Sequence, residues 1–83
     1  MATSSSRKIS TEEMGIVNQY LQPGFGRKMI VTTGGCYIDE KGKKSYHLVF
    51  GDTTENDISP KVGIKIKELL GADAIYCFGK LLA

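Results

Sequence analysis

Cys36 and His47 are the two residues of this chain whose types could combine as a nucleophile and its base, a thiol activated by an imidazole. A reactive thiolate needs a helix N-terminus, a cation or a histidine beside it. Cys36 stands in the stretch TTGGCY, directly after Gly34 and Gly35. The residue types there predict a turn and an extended strand, which supply none of those partners. His47 is the only histidine and falls in another strand-like run, so the pair would have to meet across a hairpin. A buried, inert thiol is the simpler expectation, and Cys77, inside the apolar run AIYCF, reads as core.

Other chemistries find less support. The ten glycines invite a search for phosphate cradles, but GFGRK and TTGGC lack the strand, the following helix and the glycine spacing of a dinucleotide fingerprint or a P-loop. One histidine and two distant cysteines give no transition-metal spacing, and DTTEND lacks the glycine and terminal glutamate of a calcium loop. Asp52, Glu55 and Asp57 could act as paired carboxylates, yet a loop of acids is ordinarily solvated. No enzyme, cofactor, metal site or small-molecule substrate is expected.

Binding surfaces remain. Eleven basic against nine acidic residues give a net charge of +2, with the signs interspersed rather than gathered into a strong field. Arg27 and Lys28 in one loop, Lys41, Lys43 and Lys44 in a turn, and Lys61, Lys65 and Lys67 on a helix could still form a discontinuous basic surface, with Phe25 and Tyr37 available to stack on bases. For a protein partner, Tyr20, Tyr37, Tyr46 and Tyr76 are amphipathic anchors of the kind enriched at interfaces. Ile64 is left among Lys61, Lys65 and Glu68 on a charged helix face. The expected function is a small regulator, inhibitor or adaptor that binds a protein or nucleoprotein stoichiometrically through Tyr37, Ile64, Lys61 and Lys65, or that self-associates as a dimer. The alternative is a nucleic-acid module using Arg27, Lys28, Lys41, Lys43, Lys44 and Lys67. Two cysteines without a leader-like apolar stretch predict a cytoplasmic protein, and no apolar run is long enough to span a bilayer.

The elements that must position these residues follow from local signals. Residues 1–8 are small and polar and predict a flexible tail, with Arg7 and Lys8 solvated; residues 9–83 form one domain. Ser10 and Glu13 make a capping box, and Ile9 and Met14 a hydrophobic staple, at the start of a helix that Pro23 should end. Met14, Val17 and Leu21 form its core stripe, Ile16 and Tyr20 flank it, and Glu12, Asn18 and Gln19 point to water. A strand is predicted from about Lys28 to Thr33. Gly34 and Gly35 then read as a two-residue hairpin turn with positive φ, the alternative being a bulge within one long strand. SYHLVFG is a third strand, with Tyr46, Leu48 and Phe50 on one face and Ser45, His47 and Val49 on the other. In residues 59–71, Ser59, Pro60 and Gly71 decide for a helix over a strand. Ala74 to Phe78 forms a last strand, parallel to an earlier one. The expected fold is α+β, in the order α-β-β-β-α-β, with one mixed sheet of about four strands and both helices on one face.

Overall fold

The computed structural model describes residues 4–25, 30–51 and 53–83. The fold is α+β: β1 (Ser5–Lys8), α1 (Thr11–Phe25), β2 (Val31–Ile38), β3 (Lys44–Phe50), a 3-10 turn (Glu55–Asp57), α2 (Pro60–Leu70), β4 (Ala74–Cys77) and β5 (Lys80–Leu81). The five strands form one mixed sheet in the order β1-β2-β3-β4-β5. Every pair is antiparallel except β3 with β4, which run parallel as the short α2–β4 link implied. Val17 and Leu21 of α1 and Val62, Ile66 and Leu70 of α2 are buried in one cluster with Cys36, Tyr46, Leu48, Ile75 and Cys77. Both helices therefore cover the same face of the sheet.

The flexible tail expected over residues 1–8 is corrected at its C-terminal half. Ser5–Lys8 pairs antiparallel with β2, opposite Gly35 to Ile38. Polar residues make a strand here because β2 offers an unpaired edge and because Arg7 is held. Its guanidinium donates two hydrogen bonds to the Glu13 carboxylate, at 2.7 and 3.0 Å. The same carboxylate accepts the Ser10 amide (2.9 Å) while the Ser10 hydroxyl accepts the Glu13 amide (3.1 Å), which is the reciprocal capping box. The Tyr46 hydroxyl, reaching through the core from β3, also donates to Glu13. One side chain thus caps α1, latches β1 and satisfies a buried phenol. Arg7 first, then Tyr46 and Ser10, hold the Glu13 carboxyl well below the usual range. Burial, and then the bond to Glu13, push the Tyr46 phenol up.

Helix α1 runs to Phe25, past Pro23. Proline removes a helical donor and clashes with the preceding turn, yet the helix continues for two residues beyond it. Asn18, expected to point to water, is half-buried and clamps the main chain of Val31, donating to its carbonyl (3.1 Å) and accepting its amide (2.8 Å). Replacing Asn18 by Ala leaves both Val31 groups without these partners. The expected cost is about 2 kcal/mol, read as a fall of roughly 10 °C in Tm by circular dichroism.

The glycine pair does not turn the chain. Gly34 and Gly35 lie inside β2, and the glycines with positive φ among the described residues are Gly42, Gly71 and Gly79. The irregularity falls earlier: Val31 pairs with Phe50 and Thr33 with Val49, so one extra residue is accommodated around Thr32. That bulge restores phase. Without it Val31 and Cys36, an odd number of residues apart, would face opposite sides of the sheet; with it both are buried. The tight hairpin is at the other end of the fold, where Phe78 (φ 54°) and Gly79 (φ 72°) join β4 to β5. Two successive positive φ values match the primed turns that suit the twist of a hairpin. The Phe78 ring stacks on Phe50 with centroids 6.2 Å apart.

Helix α2 begins at Pro60 after Ser59, whose hydroxyl makes no cap bond. It ends on Gly71 (φ 62°), whose amide and that of Ala72 bond the carbonyls of Glu68 and Lys67. After β5 the chain runs back along β4, where the Leu82 amide donates to the Ile75 carbonyl and the Ile75 amide to the Ala83 carbonyl. No helix among the described residues is long and apolar enough to cross a membrane.

Candidate functional site: the open face of the sheet

Because side chains alternate along a strand, a sheet with both helices on one side presents every second residue of the other side to solvent. The register places these residues in rows. Gly35 of β2, His47 of β3 and Tyr76 of β4 lie side by side, and Tyr37, Ser45 and Ala74 form the adjacent row. Tyr37 is 47% exposed and Tyr76 38%, and His47 between them is also exposed. On spacings of about 4.8 Å between strands and about 6.7 Å along them, the two tyrosines stand roughly 12 Å apart with His47 between. Val49 and Leu81 extend the same face on β3 and β5, also exposed.

Small residues separate the rings. Gly35 and Ser45 lie in a concavity of about 260 Å³ whose walls include Tyr37, His47 and Tyr76. A second concavity, of about 640 Å³, shares Tyr37 and Tyr76 and runs on to Asp39, Lys43 and Lys44 at the β2–β3 turn and to Asp73 in the α2–β4 link. The turn is held by carboxylates acting on the backbone. Asp39 accepts the amides of Lys41 (2.8 Å) and Lys43 (2.9 Å), and Asp73 accepts that of Lys44 (2.8 Å).

The residues singled out in the sequence separate into two surfaces. Tyr37, Lys41 and Lys43 belong to the open face or its rim. Ile64 is 49% exposed with Lys61 and Lys65 on the solvent side of α2, and so on the opposite side of the molecule. One compact ligand cannot cover Tyr37 and Ile64 together. Lys67 is half-buried near the end of α2, and the Lys44 ammonium lies 5.5 Å from the centre of the Tyr46 ring, on the helix side of the sheet. Arg27 and Lys28 lie outside the described residues, as does Asp52; of Phe25 only the backbone is described.

Cys36 and His47 are not a dyad. Cys36 pairs with Tyr46 and His47 with Gly35, which puts the thiol, 2% exposed, in the core and the imidazole on the open face. Cys77 is a free, buried thiol that burial pushes up from the usual range. Among the described residues no group of three His, Cys, Asp or Glu side chains is placed to hold a metal ion. The sequence offers His47 as a base for Cys36 and Tyr76 as one of four tyrosine anchors; the signal that joins them to Tyr37 on one surface is the strand order, which local patterns do not carry. Comparison with family models, with curated proteins and with solved structures finds no match to this chain.

Proposed function

We propose that this protein is a small non-enzymatic regulator or adaptor that acts by stoichiometric binding to a protein or nucleoprotein, and that the open face of the sheet is its docking surface. The observation that carries the reading is the concentration of exposed apolar and aromatic side chains, Tyr37, Val49, Tyr76 and Leu81, on a sheet face that no helix covers. A patch of this kind on a small domain marks an interaction site, and tyrosine supplies contact area at low entropic cost. The separation of Cys36 from His47 removes the one nucleophile–base pair that the sequence offered.

The test contrasts the two sides of the molecule. Tagged protein is recovered from its native host, with and without nuclease, and the co-purifying material is quantified. Tyr37→Glu is expected to reduce the recovered partner at least tenfold while changing Tm by no more than about 2 °C, since an exposed position carries little folding energy. Ile64→Glu is expected to leave recovery intact. The reverse pattern would place the docking surface on α2 and overturn this assignment.

A further inference from the structure

We infer that the ligand of the open face is single-stranded nucleic acid, with Tyr37, His47 and Tyr76 stacking its bases and Lys8, Lys41 and Lys43 neutralising its phosphates. The inference rests on the open face being the docking surface and goes beyond it by naming what docks there. Flat rings on neighbouring strands of an uncovered sheet are suited to unstacked bases, because every base has a π-face and a sheet can present two or three rings to successive nucleotides. Here His47 and Tyr76 stand side by side on β3 and β4 with Tyr37 in the adjacent row on β2, and the glycine and serine beside them leave the surface low enough for planar groups to lie against the rings.

The charge distribution favours this ligand over an apolar protein surface. No carboxylate stands on the open face of any strand, whereas Lys8, opposite Gly35, does. The concavity that begins between the tyrosines continues to the β2–β3 turn and its lysines, so a chain leaving the rings runs towards cations. Of the acids at that end, Asp39 and Asp73 point into backbone amides, and Glu40 stands exposed beside Lys41 and Lys43. The Arg7–Glu13 ion pair lies on the other side of the sheet, and among the described residues Lys8, Lys41 and Lys43 enter no ion pair. A duplex hides its base faces and would meet only the lysines.

The experiment is fluorescence anisotropy of the full chain with a short labelled oligouridylate and oligothymidylate, at about 50 mM salt and upward, beside a duplex of matched length. Single strands are expected to bind more tightly than the duplex. Tyr37→Ala and Tyr76→Ala should each weaken binding about tenfold, while Tyr37→Phe and Tyr76→Phe, which keep the ring, should retain it. Lys8→Gln and Lys43→Gln should each lower the slope of log K against log salt by about one. If no oligonucleotide binds while Tyr37→Glu still abolishes recovery of a nuclease-resistant partner, the inference fails and the docking surface stands. If oligonucleotides bind but only Lys61→Gln, Lys65→Gln and Lys67→Gln weaken them, the inference and the docking surface fail together.

Discussion

Gly34→Ala is expected to destabilise the fold by about 2 kcal/mol or more, whereas Gly35→Ala, one residue along, is expected to change stability by less than about 0.5 kcal/mol. Ordinarily replacing a glycine by alanine in an accessible conformation stabilises by about 0.4–1 kcal/mol through the unfolded chain. At Gly34 that gain is outweighed. A Cβ there would lie 2.5 Å from the His47 carbonyl oxygen and 3.4 Å from the Leu48 Cα, both main-chain atoms of β3. The Gly34 carbonyl meanwhile accepts the Ile9 amide at 2.9 Å. The position is confined between two neighbouring segments, and relief requires parting the β2–β3 ladder on which the ring cluster depends. At Gly35 the nearest atom would be the Arg7 carbonyl oxygen at 3.6 Å, an ordinary contact. A domain of this length holds on the order of 4–12 kcal/mol in all, so the first variant should lose at least roughly 10 °C in Tm and the second almost nothing. Equal melts for the two variants would refute this account of the glycine pair.

Glu13→Ala is expected to cost about 2–3 kcal/mol, because it strips one partner each from the Arg7 guanidinium, the Ser10 amide and the Tyr46 hydroxyl, and Tyr46 is 1% exposed. The same group sets an acid dependence. Its folded carboxyl is held below the ordinary range by Arg7 first. The unfolded state therefore takes up a proton near pH 4–5 while the folded state does not. The stabilisation is complete above that window and declines as the pH falls through and below it. Urea melts of the parent protein between pH 6 and about pH 3 should show midpoints falling with acid, and Glu13→Gln, which has no proton to gain, should show a shallower fall from a lower starting value. A parallel pH profile in both proteins would remove Glu13 from the acid response.

Much of this fold is legible along the chain because the signals concerned are local. Ser10 with Glu13, and Pro60 with Gly71, mark helix ends that depend on a few consecutive residues. The alternation from Ser45 to Phe50 fixes which side of β3 is buried. The failures are of another kind. Ser5–Lys8 carries no strand preference and becomes β1 because a remote edge and Glu13 receive it. Gly34 and Gly35 resemble a turn until the crowding from β3 and Ile9 is known, and Phe78–Gly79 passes unnoticed because a bulky residue seldom takes positive φ. Asn18 appears solvent-facing until Val31 is brought to it. The candidate site divides in the same way: Tyr37 stands out by type, but Tyr76 and His47 join it only through the order of β2, β3 and β4, and Ile64 parts from it for the same reason.

Keeping the strands in chain order also sets the sequence of assembly. The segments between Ile38 and Lys44 and between Cys77 and Lys80 close small loops, and hairpins of that size form in about 1–10 μs. Joining β1 to β2, or β3 to β4, spans a whole helix, and a loop several times longer adds roughly 1 kcal/mol to the entropic barrier before any contact rewards it. The β2–β3 ribbon is therefore the natural nucleus, onto which α1 with β1 condenses from one side and α2 with β4 and β5 from the other. Tyr37 and His47 are placed on one face in that first ribbon, while Tyr76 arrives with the second half, so the ring cluster is finished only when the long loop between β3 and β4 closes.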